Sequence, residues 1–83
     1  MVDREIFYIV GRTSCPYCVK AKEYLESKSL EFHFRDLEEN RALLMEYVNK
    51  YDWNTVPMVF KFTPEKDPIF LGGYNDLVEH LEN

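Results

Sequence analysis

Ile6-Phe7-Tyr8-Ile9-Val10 is a run of apolar, β-branched and aromatic residues closed by Gly11, which predicts a short strand buried on both faces and central in its sheet. From Pro16 to about Lys28 the period changes. Tyr17, Ala21 and Leu25, joined by Tyr24, fall on one helical stripe, and Lys20, Lys22, Glu23 and Glu26 cover the opposite side as a solvated face. Glu31-Phe32-His33-Phe34-Arg35 then alternates polar and apolar, as a half-buried strand does, and places His33 outward with the charged residues. Asp36 and Glu39 have the spacing of a capping box. Leu37, Leu44, Val48 and Tyr51 recur at helical intervals after it, predicting a second helix to about Lys50.

Tyr51-Asp52-Trp53-Asn54 breaks that pattern, and Thr55-Val56-Pro57 leads into a strand Met58-Val59-Phe60-Lys61-Phe62. Proline donates no ladder hydrogen bond, so Pro57 belongs at the first residue of this strand. Thr63-Pro64-Glu65-Lys66-Asp67 is turn-rich, and Ile69-Phe70-Leu71 after Pro68 completes an antiparallel hairpin. Gly72-Gly73 ends it, and a last helix begins at Tyr74 or Asn75 with Leu77, Val78 and Leu81 on its apolar side. The order is β-α-β-α-β-β-α. A strand-helix-strand connection makes the first two strands parallel, so the fold class is α/β, a small mixed four-stranded sheet flanked by three helices on both faces. No linker, repeat or low-complexity stretch interrupts residues 1–83, which predict a single domain.

A hydrophobic fraction of 46% with 16% aromatics suffices for a folded globule, and in a core this small the rings supply much of the packing area. Ten Lys and Arg against 15 Asp and Glu give a net charge of −5, which argues against nucleic acid and anionic membranes as partners. An anionic ligand therefore needs local positive charge. No apolar stretch approaches a membrane span, and Met1-Val2-Asp3-Arg4-Glu5 is not a basic region leading an apolar one, so a soluble, unprocessed chain is expected. The two cysteines sit together rather than forming a secreted scaffold's framework, which points to a reducing cytoplasm.

Those cysteines are the candidate chemistry. Thr13-Ser14-Cys15-Pro16-Tyr17-Cys18 lies between the first strand and the first helix, and Pro16 suits the first helical position, where a missing N–H costs nothing. Cys15 then meets the exposed N–H groups and positive dipole end of the helix, which favour a thiolate. Cys18 follows one turn later on the same face, placed to attack a mixed disulfide at Cys15. A structural disulfide across so short a loop restricts the unfolded chain little. A zinc site needs four ligands, and His33 and His80 are not at finger-like spacing.

Three stretches together resemble the glutaredoxin family over essentially the whole chain: Cys15-Pro16-Tyr17-Cys18 its dithiol site, Thr55-Val56-Pro57 its cis-proline motif, and Gly72-Gly73-Tyr74-Asn75-Asp76-Leu77 its glycine pair and ligand-binding helix start. The resemblance implies a thioredoxin-like fold with glutathione as co-substrate and no bound cofactor. It implies Cys15 as nucleophile, Cys18 as resolving thiol and Tyr17 as the aromatic residue beside glutathione, although Tyr17 also reads as a core residue of its stripe. It makes Pro57 cis, with the Val56 main chain pairing with the tripeptide like an added strand and Thr55 beside it. Gly73, Tyr74, Asn75 and Asp76 would meet the γ-glutamyl end, helix-start N–H groups holding its carboxylate and Asp76 its ammonium. More simply, Asn75 is an N-cap and Asp76 a first-turn acid. Arg12 matches the family's basic position and would attract the glycyl carboxylate.

Two features depart from the family: Ser14 precedes the nucleophile, and neither Asn49 nor Lys50 aligns securely with the ligand position on the second helix. The implied activity is reduction of protein disulfides and of protein–glutathione mixed disulfides, by a monomer, with ribonucleotide reductase as a substrate by family analogy. Two alternatives remain. One is a dimeric carrier of a [2Fe-2S] cluster held by Cys15 and glutathione, against which Pro16-Tyr17 argues because such carriers more often have a smaller, glycine-containing site. The other is a redoxin reduced by a flavoprotein thioredoxin reductase.

Overall fold

β1 (Ile6–Gly11) feeds two separate cores from its alternate residues, which is why it shows no polar alternation. In the computed structural model, which describes residues 5–64 and 66–82, the order is β1, α1 (Pro16–Ser27), β2 (Phe32–Asp36), α2 (Arg41–Tyr51), β3 (Met58–Phe62), β4 (Ile69–Gly72) and α3 (Tyr74–Glu82). Met1–Arg4, and Glu65 of the expected turn, lie outside the described residues. The sheet runs β2-β1-β3-β4, with β1 and β2 parallel and the other pairs antiparallel. Among the described residues no helix is long and apolar enough to cross a membrane.

Phe7 and Ile9 stand opposite Phe32 and Phe34 of β2. With Val59 they pack against Ala21 and Leu25 of α1 and Leu77 of α3, forming the core on one side of the sheet. Val10, Met58 and Phe60 face the other way, where Leu37 joins them under Leu43, Leu44, Tyr47 and Tyr51. The expectation that all of β1 is buried fails at Tyr8, which is 48% exposed. Tyr8 leans on the rings of His33 and Phe62 and borders an open groove of about 240 Å³ in front of Tyr47 and Tyr51, so α2 does not close over it.

The start of α2 also differs from the expected Asp36–Glu39 capping box. Asn40 is the N-cap, its side-chain oxygen accepting from the Leu43 N–H at 3.2 Å, and the helix begins at Arg41. Asp36 is the last residue of β2, its carboxylate engaged elsewhere, and Leu37 is a buried loop residue. At the other end Asp52 adopts a left-handed conformation (φ 52°), and the N–H groups of Asp52 and Trp53 both turn back to the Val48 carbonyl. That reversal delivers Trp53 to Pro57 to the head of β3. Pro57 precedes the strand, which starts at Met58, and the Val56–Pro57 peptide is cis.

Candidate active site

Cys15 is the N-cap of α1 in extended conformation (φ −85°, ψ 120°), Pro16 follows in the first turn, and no acidic residue occupies that turn. Cys15 thus stands at the N-terminal end of the helix. Its N–H donates to the Arg12 carbonyl at 3.1 Å, and its half-buried thiol lies 3.6 Å from the Val56 carbonyl oxygen. Cys18 is fully buried. Burial pushes its thiol up from 9.0 to about 12, with the Arg12 backbone N–H opposing and the neighbouring Cys15 thiol adding to the rise. The two cysteines are therefore inequivalent, one on the surface and one holding its proton inside. Gly11 makes room for this, since a Cβ there would run into the Cys18 sulfur.

Two grooves meet at Val56, whose carbonyl the Cys15 thiol approaches. One, of about 350 Å³, is lined by Tyr17, Trp53, Thr55, Val56, Pro57, Gly73, Tyr74, Asn75 and Asp76. It thus gathers eight residues singled out from sequence for ligand contact. Tyr17 is 52% exposed beside the Tyr74 ring (centroids 5.9 Å apart), so it is a groove wall rather than a core residue. Trp53 was not among the expected residues. Its only signal was a large aromatic in a polar break two positions before Thr55, and its ring packs edge-on against Phe70. The N-cap of α3 is Gly73 rather than Asn75. The Asp76 carboxylate accepts from the Gly73 N–H at 2.9 Å, which is half of a capping box.

Arg12 lies apart from these, on a second groove of about 450 Å³ with Leu37, Glu38, Arg41, Leu44, Met45, Val48 and Asn54; Thr55 and Val56 border both grooves. Neither Asn49 nor Lys50 lines either one. The parallel pairing of Gly11 with Asp36 brings the loops after β1 and β2 to the same sheet edge. There Asp36 accepts from the Thr13 N–H (3.2 Å), the Thr13 hydroxyl (2.5 Å) and the Glu38 N–H (3.0 Å). Glu38 accepts from the Ser14 N–H (3.0 Å), the Ser14 hydroxyl (2.9 Å) and the Arg12 guanidinium (3.2 Å).

These bonds hold both carboxyls below their ordinary values, Asp36 chiefly through the Thr13 hydroxyl and Glu38 chiefly through the Ser14 N–H. A carboxylate lowered in the folded state contributes stability above its ordinary value and loses it as pH falls through the lowered one. The brace should therefore persist through neutral pH and release only in acid. In an NMR titration the Thr13 and Ser14 amide resonances should move with midpoints below 3.8 and 4.5, the ordinary values of the two carboxyls; midpoints at or above those values would contradict the brace.

Residues 6–62 match the family model described as Glutaredoxin. Glutaredoxin 3 of Escherichia coli is 33% identical over 69 residues, covering 83% of this chain and 77% of its own length. A Bos taurus protein named Putative malate dehydrogenase 1B is 25% identical over 87 residues, and the match spans 92% of this chain but 18% of that much longer protein. The structure of the buckwheat glutaredoxin–glutathione complex aligns with a TM-score of 0.75 over 92% of this chain and 67% of its own, at 20% identity, a likeness of fold. The four-stranded mixed sheet with three helices is accordingly thioredoxin-like. From the family match over most of its length and the likeness to the bacterial relative, this chain belongs to the glutaredoxin family of thiol–disulfide oxidoreductases.

Proposed function

We propose that this chain reduces protein disulfides and protein–glutathione mixed disulfides with glutathione as the electron donor. The observation that carries this is the position of the Cys15 sulfur, at the N-cap of α1 and 3.6 Å from the Val56 carbonyl, where two solvent-open grooves share Thr55 and Val56. A tripeptide lying along the Val56 main chain brings its own sulfur beside Cys15. Its γ-glutamyl carboxylate meets the first-turn N–H groups of Asn75 and Asp76, its ammonium approaches the Asp76 carboxylate, and Tyr17 and Tyr74 flank it. Its glycyl carboxylate runs into the second groove toward Arg12.

With a glutathionylated protein, the Cys15 thiolate attacks the glutathione sulfur, the disulfide breaks, and the protein thiolate leaves and takes up a proton. A second glutathione thiolate attacks the resulting mixed disulfide, releasing oxidised glutathione and restoring the Cys15 thiolate. With a protein disulfide, the Cys15 thiolate attacks one protein sulfur, the substrate disulfide breaks and the other sulfur leaves as a thiolate that takes up a proton; Cys18 then attacks the Cys15 sulfur, the mixed disulfide breaks and the Cys18 proton passes to the departing thiolate. Two glutathiones then reduce the Cys15–Cys18 disulfide. We further propose that the chain acts as a monomer in a reducing compartment, with glutathione supplying the electrons in place of a resident cofactor.

Turnover of a small disulfide substrate with glutathione, NADPH and glutathione reductase should exceed turnover with NADPH and thioredoxin reductase by an order of magnitude or more. Comparable or faster turnover with the flavoprotein alone would assign a different donor.

A further inference from the structure

We propose that Glu38 is a positioning residue that sets how strongly Arg12 attracts an anion to Cys15. This deepens the glutathione reading above and rests on it for the identity of the ligand. The two oxygens of Glu38 have separate tasks. Oε1 accepts from both the N–H and the hydroxyl of Ser14, the residue immediately before the nucleophile, at 3.0 and 2.9 Å. Oε2 holds the Arg12 guanidinium at 3.2 Å, and the Arg12 carbonyl in turn accepts from the Cys15 N–H at 3.1 Å. Asp36 fixes Glu38 from below through the Glu38 N–H, and the Asp36–Gly11 register anchors the whole brace to the sheet.

The consequence for binding follows from charge. Arg12 and Glu38 line the same groove, so the cation facing an incoming carboxylate is already paired with one. The side chains are 47% and 31% exposed, and an exposed ion pair of this kind is weak enough to exchange partners. A ligand carboxylate reaches Arg12 by displacing Glu38 Oε2, while Oε1 keeps its hold on Ser14. Arg41, on the same groove, offers a second cation but has no comparable tie to the nucleophile's loop.

Glu38→Gln separates the two tasks, because the amide oxygen still accepts from Ser14 while the charge facing Arg12 is gone. Glu38→Ala removes both. With Cys18→Ser as background, so that Cys15 is the thiol that reports, alkylation by anionic iodoacetate and neutral iodoacetamide measures local charge without glutathione. Glu38→Gln should raise the iodoacetate-to-iodoacetamide rate ratio about two- to fivefold. With Arg12→Ala also present, that gain should largely vanish. In glutathione-coupled turnover, Glu38→Gln should lower KM for glutathione by a similar factor, and kcat should fall further in Glu38→Ala than in Glu38→Gln.

An unchanged alkylation ratio in Glu38→Gln overturns the inference. So does a rise equally large with Arg12→Ala present, since Glu38 would then act through its own charge rather than through Arg12. If the parent protein shows no glutathione-coupled turnover while the alkylation ratios behave as stated, the glutathione reading falls and the role of Glu38 stands.

Discussion

Cys15→Ser should abolish glutathione-coupled reduction of every disulfide substrate, a loss on the order of a thousandfold or more, because the hydroxyl that replaces the thiol cannot form the mixed disulfide. Cys18→Ser should divide the substrates instead. Deglutathionylation should continue, since that route never uses Cys18, while reduction of protein disulfides should slow sharply and a Cys15–glutathione adduct should accumulate at one per chain. The asymmetry follows from placement. Cys15 is half-buried at the helix N-cap, whereas Cys18 is buried behind Gly11 with its thiol pushed up to about 12. A thiol that holds its proton so firmly attacks only where a leaving thiolate can take that proton, and the Cys15 mixed disulfide is such a place. Mass spectrometry of the trapped adduct and coupled assays on both substrate types check this. Residual activity in Cys15→Ser, or a Cys18–glutathione adduct accumulating in that variant, would reverse the assignment.

Gly72→Ala should be the most damaging single-methyl change near the groove, costing roughly 2–5 kcal/mol from combined backbone strain and overpacking. Gly72 has φ of +123°, outside the range that L side chains readily adopt, and a Cβ there would sit 2.5 Å from the Asp76 Oδ2 and 2.6 Å from its Cγ. Relieving that overlap means moving Asp76, whose carboxylate holds the Gly73 N–H. The first turn of α3 moves with it, so KM for glutathione should rise along with the loss of stability. In a domain of this size the thermal midpoint should fall by roughly 10–30 °C. Gly73→Ala is the matched control, because its nearest contacts to a new Cβ are the Trp53 ring at 3.6 Å and the Pro57 carbonyl at 3.7 Å. A Gly72→Ala protein melting no lower than Gly73→Ala would show that the chain accommodates the methyl easily.

The helix-start place of the cysteines is legible from Pro16 alone, whereas the gathering of Tyr17, Thr55-Val56-Pro57 and Gly73 to Asp76 on one groove is implied only by their resemblance to one family; the period of α1 by itself puts Tyr17 on the core stripe. The start of α2 was misread for a related reason. Asp36 and Glu39 have the spacing of a cap, but a cap is a competition for N–H groups, and the Asp36 carboxylate is taken by Thr13 and by the Glu38 N–H. Asn40, with no such rival partners, became the cap. Tyr8 was misread because periodicity reports which face a residue takes but not how far the opposing helix extends over that face.

By itself the sequence determined the order of strands and helices and the helix-start position of the dithiol, consequences of periods and turn chemistry within a dozen residues; the residues of the Tyr17-to-Asp76 groove were implied by the resemblance to one family. Only the tertiary structure decided the partners of Arg12 and Ser14, the wall made by Trp53 and the second groove. The physical reason is the parallel alignment of β1 with β2, which places Gly11 beside Asp36 and so brings the Arg12–Ser14 loop against Glu38, 24 residues beyond Ser14. No local pattern encodes a carboxylate that arrives across a sheet edge.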